Sequence, residues 1–155
     1  MKPSELLSPS DVLLDFDAAD KWQAIQALVD HLVETGRLVA DFRDPVLEAV
    51  LEREKSMSTG MEHGVAIPHA AVEEVSEIVA CMAVIQRDEG LDFESIDGQA
   101  TRVVVLLVIP KGQKLLHIRT LADIARVLTK DRVRSKLVES KENQEAHAIL
   151  VAGEA

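Results

Sequence analysis

Two stretches decide the fold: Ile78–Ile85 reads IVACMAVI, and Val103–Ile109 reads VVVLLVI before Pro110 stops it. Neither has a polar face. A surface helix or half-exposed strand would show one, so both predict strands buried on two sides. Such strands need helices to cover them, and the flanking segments supply them. Asp20 looks like an N-cap before Trp22, Ile25, Leu28, Val29, Leu32 and Val33, which recur at helical spacing until Gly36. His31 lies off that stripe and reads as solvated. Asp44-Pro45 reads as a second start, Asp at the cap and Pro at the first helical position. Val46, Leu47, Val50 and Leu51 form its stripe, and the helix should reach Lys55 or Met57, with Arg53 near its end.

Downstream, Leu121, Ile124, Ala125 and Leu128 keep helical spacing, with His117 in the first turn. Asp131 and Asn143 look like caps of two more helices, which turn Val133, Leu137 and Val138, then Ala146, Ile149 and Leu150, inward. Short strands are predicted at residues 12–16, at Val65-Ala66-Ile67 and around Leu91-Asp92-Phe93, with a turn at Asp97-Gly98. Pro68 biases Ile67 to an extended conformation, so the strand at 65–67 delivers His69 at its end. These elements predict an α/β fold: a mixed β-sheet flanked by helices on both faces, in a single domain spanning residues 1–155.

Composition narrows the function. Apolar residues make up 47% and charged residues 28%, a globular balance, and aromatics are only 3%, so aliphatic side chains must fill the core. The one cysteine, Cys81, rules out an internal disulfide. No apolar run approaches the roughly 20 residues of a membrane helix, and Met1–Glu5 leads into no signal peptide. The expected compartment is the cytoplasm, without membrane insertion. A net charge of −10 argues against nucleic acid and fits a basic protein partner, although solubility alone also accounts for it.

The chemistry concentrates between Arg53 and His69, REKSMSTGMEHGVAIPH. A neutral imidazole can attack phosphorus, and the bond it forms is labile enough to pass the group on. Such a carrier needs an exposed ring on a rigid stem and donors for phosphoryl oxygens. Gly60 and Gly64 would let backbone N–H groups approach, Ser58 and Thr59 offer hydroxyls, and Arg53 a bidentate charge. Phosphoryl transfer is mostly positioning and charge stabilisation, so no metal or cofactor is required.

Plainer readings stand beside these. His69 could be a turn residue after a proline, Arg53 a cation favoured at a helix C-terminus, His117 a helix-start histidine, and Ser58-Thr59-Gly60 an ordinary loop. A zinc site of His63, His69 and His117 is a further alternative, but the spacing of His63 and His69 fits no standard pattern. A serine hydrolase using Ser58 or Ser56 lacks the nucleophile-elbow motif and a triad acid.

The segment STGMEHGVAIPHA, Ser58–Ala70, closely resembles the active-site signature of the EIIA domains of the phosphotransferase system, in the fructose, mannitol and nitrogen-regulatory superfamily. LEREKSMSTG, DFESIDGQATRVVVLLVIP and LLHIRTLADIARVL resemble that family's pre-site helix, central hairpin and second-histidine helix, in order, so the likeness runs from about Leu6 to about Leu150. The resemblance implies that His69 is the phosphorylated histidine, through Nε2, and that His117 orients or stabilises the phosphoryl group. Arg53 matches the arginine before the site and Thr59 the hydroxyl of its loop. It also implies an HPr-like phosphocarrier as donor. The acceptor would be a transporter B domain; otherwise the phosphorylation state is itself a signal, read by a regulatory protein. This chain departs from the pattern at Glu62-His63, where the family commonly has Gly-Asn, and has no basic residue in Ala70–Glu74. Glu62 and His63 read as an exposed loop tip, and the missing basic residue bears on the transfer rate and on the usual donor.

Overall fold

A computed structural model describes residues 1–155. The chain runs α1 (Pro3–Leu6), a 3-10 turn (Pro9–Asp11), β1 (Val12–Leu13), α2 (Lys21–Glu34), a second 3-10 turn (Ala40–Phe42) and α3 (Arg43–Ser56). It continues through β2 (Val65–Ala66), β3 (His69–Val72), β4 (Val79–Val84), β5 (Val103–Pro110), α4 (Lys114–Leu128), α5 (Asp131–Glu139) and α6 (Asn143–Gly153).

The two apolar stretches are the antiparallel centre of the sheet, β4 and β5, with Val84 opposite Val103 and Val79 opposite Val108. β1 lies parallel on the outer edge of β4. β2 and β3 share the other edge of β5, one after the other and both parallel to it: Val65 pairs Val103, then His69 pairs Leu107. The sheet is therefore mixed. Alternate residues of β5 face opposite ways. Val103, Val105, Leu107 and Ile109 join a core with Leu7, Ile124, Leu137 and Leu150. Val104, Leu106 and Val108 join a second core with Ile25, Leu28, Val46 and Val50. Helices α1, α4, α5 and α6 cover one face and α2 and α3 the other, which explains why the strands lack a polar side.

Several boundaries differ from expectation, each for a local reason. His69 begins a strand rather than ending one. Pro68 has no N–H, so the ladder breaks there, yet its carbonyl still accepts from Leu107 N–H at 3.0 Å and pairing resumes at His69. Asp20 is a cap, accepting from Gln23 N–H at 2.9 Å. Asp44 is not: α3 starts at Arg43, and Asp44 pairs with that arginine at 2.8 Å. Asp131 and Asn143 are the first helical residues of α5 and α6, not their caps. Around Leu91-Asp92-Phe93 only one bridge forms, Leu91 to Thr101. Asp92 instead accepts from Glu94 N–H at 2.8 Å, a local turn that competes with strand pairing. The first strand stops at Leu13, two residues before Asp15 takes a φ of 50°. His31 is half-buried, and its Nε2 sits 2.9 Å from the Ser10 carbonyl, so it braces the segment before β1.

Candidate active site

Register places His69. It pairs with Leu107, whose side chain faces the core under α4, so the imidazole emerges on the α4 side of the sheet. The first turn of α4 carries His117. The two rings meet edge to face, 5.1 Å between centroids and 78° between planes. Their meeting recesses His69 to 9% exposure, where an exposed ring was expected.

The proton on His69 is assigned by its neighbour. Nδ1 lies 2.8 Å from the Ile67 carbonyl, which can only accept. In the neutral ring Nδ1 therefore carries the hydrogen and Nε2 the lone pair. Burial pushes the His69 pKa below its ordinary value. The Ile67 hydrogen bond opposes that shift, while Arg53 and His117 add to it. Burial and Arg53 also lower His117. Near neutrality His69 is an uncharged imidazole with a defined nucleophilic nitrogen.

A cavity of about 360 Å³ opens in front of the ring, and Arg53, Ser58, Thr59, Gly60 and His69 all line it. Arg53 projects from the last turn of α3. Its Nη1 donates to the Met57 carbonyl at 2.8 Å, which closes the helix end and steadies the guanidinium beside the cavity. The loop residues are placed otherwise than expected. Ser58 Oγ–H donates to the Phe93 carbonyl and accepts from Gly60 N–H at 3.1 Å. Thr59 N–H donates to Glu54 at 2.9 Å, and Met61 N–H to the Val65 carbonyl at 2.8 Å. The N–H groups of residues 59 to 61 are thus consumed within the fold. Gly60 is needed for packing: a Cβ there would meet the Phe93 carbonyl at 2.7 Å. Gly64, with φ of 75°, lies outside this cavity and accepts from Arg102 and Val103 N–H through its carbonyl.

Glu62 and His63 are exposed and line none of this cavity. His63 adopts a φ of 65° and donates its N–H to Asp97 at 2.9 Å. It lines a different hollow, so the three histidines do not converge on a metal. Ser56 Oγ–H donates to the Arg53 carbonyl, and neither serine has a histidine as hydrogen-bond partner. Sequence reasoning missed Glu54 and Lys21, a buried ion pair at 3.2 Å behind Thr59. The signal was readable: Glu54 continues the buried stripe of Val46 and Val50 at four-residue spacing, where a lone charge demands a partner.

Fold and site together define an α/β domain built around a recessed histidine pair at a sheet edge. Residues 5–152 match the family model described as phosphoenolpyruvate-dependent sugar phosphotransferase system, EIIA 2. The fructose-specific EIIA component of the phosphotransferase system of Haloferax volcanii is 34% identical over 96% of this chain and 90% of its own length. The nitrogen regulatory protein of Bradyrhizobium diazoefficiens is 34% identical over 97% and 95%. The crystal structure of the nitrogen regulatory protein IIA-Ntr of Neisseria meningitidis superposes with a TM-score of 0.82 at 26% identity, covering 95% of this chain and 97% of that one. The chain belongs to the EIIA 2 family of the phosphotransferase system. No helix is long and apolar enough to cross a membrane.

Proposed function

We propose that His69 is the phosphoryl-accepting residue of a carrier that takes its group from an HPr-like phosphohistidine. The observation that carries this reading is the hydrogen bond from Nδ1 to Ile67, which leaves the Nε2 lone pair as the nucleophile. In the transfer, Nε2 forms a bond to phosphorus in line as the donor's N–P bond breaks, and the donor imidazole recovers the electron pair. Positive charge that builds on the His69 ring is stabilised by the Ile67 carbonyl. Arg53 and His117 supply the charge and hydrogen bond for the phosphoryl oxygens, a role the N–H groups of residues 59 to 61, already bonded, do not fill.

Four exposed apolar side chains support docking of protein partners. Met57 and Ile96 stand at 69% and 77% exposure by the cavity, and Leu115 and Ile118 flank His117 on α4. A transporter B domain is the proposed acceptor. A regulatory role, with phosphorylation itself as the signal, is the second reading, supported by the Bradyrhizobium relative, a nitrogen regulatory protein matched over nearly its full length. Incubation with phosphoenolpyruvate, enzyme I and an HPr-type donor tests the carrier step by intact mass. The wild type gains one acid-labile phosphoryl group and His69→Ala gains none. A wild type left unmodified by a competent donor refutes the reading.

A further inference from the structure

A buried carboxylate beside a site for an anionic group needs a reason, because it repels the incoming charge. Glu54 is such a carboxylate, and both its oxygens are occupied. Oε1 accepts the Thr59 hydroxyl at 2.5 Å. Oε2 accepts Thr59 N–H at 2.9 Å and the Lys21 ammonium at 3.2 Å. Lys21 is itself buried and neutralises the charge. Its Nζ reaches on to Glu94 at 3.6 Å and lies 4.9 Å from the ring centroid of Trp22, the only tryptophan in the chain. One unbroken line of contacts therefore runs from Thr59, on the cavity wall, to an indole on the other side of Lys21.

A hydroxyl has a single proton. While Thr59 donates it to Glu54, only lone pairs are left for the cavity, and these repel phosphoryl oxygens. We propose that Glu54, held by Lys21, is a positioning residue that makes Thr59 a toggle: the hydroxyl donates to Glu54 in the free protein and to a phosphoryl oxygen once His69 is charged. This inference rests on the carrier reading above. A phosphoryl group carries roughly −1.5 to −2 charges against the single charge of a carboxylate, so it competes for the proton. Glu54 is not stranded by the exchange, because Thr59 N–H and Lys21 stay with it. With one donor fewer, the carboxylate draws on Lys21 more strongly, and the ammonium shifts relative to Trp22.

Trp22 emission reads this out, followed alongside phosphorylation kinetics and intact mass in wild type, Thr59→Val and Thr59→Ser. The wild type changes emission as His69 is charged. Thr59→Val, isosteric but without the hydroxyl, is charged about tenfold more slowly at saturating donor, the loss of one hydrogen bond to a charged group. Its half-saturating donor concentration is unchanged, and its emission stays flat. Thr59→Ser restores the emission change and most of the rate. Silent Trp22 emission in fully charged wild type overturns the proposal whatever the variants do, as does a Thr59→Val protein that keeps the wild-type rate or signal. Failure of the wild type to accept any phosphoryl group brings down the carrier reading and this inference together.

Discussion

The chemistry of the site turns on single atoms. His69 Nδ1 is committed to the Ile67 carbonyl, so pH acts on Nε2 alone. Burial holds His69 and His117 below the ordinary histidine value of 6.5. The unfolded chain therefore binds these protons more readily than the folded one. The contribution to stability is full above pH 6.5 and is lost as pH falls through the lowered values. Urea unfolding at stepped pH should show a loss of stability below 6.5 that is smaller in His69→Gln; equal slopes in the two proteins would contradict the burial argument. By the same logic the phosphorylation rate should be flat between pH 7 and 8 and fall only in acid, as stopped-time labelling can check. Gly60 gives a prediction independent of charge. A methyl at Gly60 meets the Phe93 carbonyl at 2.7 Å, so Gly60→Ala should cost about 1–3 kcal/mol in denaturant unfolding.

Among the elements, strands β4 and β5 were legible because burial on both faces leaves an uninterrupted apolar run. Helix α2 was legible from its stripe and from Asp20. The helix starts at Asp131 and Asn143 lie one residue, and that at Arg43 two residues, before the starts read from sequence, because an acidic or amide side chain serves in the first turn as well as at the cap. In sequence the break at Pro68 reads as a strand end, whereas the chain rejoins β5 at His69. Sequence shows that Pro68 cannot donate, but whether the chain then leaves or rejoins β5 depends on what lies beside it. The α5–α6 contact was invisible too. Gly153, in the last turn of α6, lies so close to α5 that a Cβ would meet Val133 at 2.6 Å. Alanine normally favours a helix by roughly 1 kcal/mol over glycine. Here Gly153→Ala should lower the melting temperature instead, and a rise would show that α5 yields freely.

For the whole molecule, the surplus of negative charge sets a mild self-repulsion. Most ion pairs are exposed on at least one side and contribute little. Raising salt from low to moderate concentration should therefore raise the melting temperature, because screening relieves repulsion more than it weakens these pairs. A fall would mean that the buried pair Lys21–Glu54 is not shielded as its burial implies.

Sequence by itself determined the layered α/β class, the helical stripes and which side chains are available for chemistry, because burial pattern and side-chain type are local properties. Tertiary structure decided which of those residues share a cavity. It brought His117 to His69 across more than forty residues, through the register of β3 on β5 and the packing of α4 over it. It placed Gly64 outside the cavity, and it bonded the N–H groups of residues 59 to 61 internally. It added Glu54 and Lys21, since a buried charge shows only that it needs a partner, and the partner is chosen by which helices the sheet holds side by side.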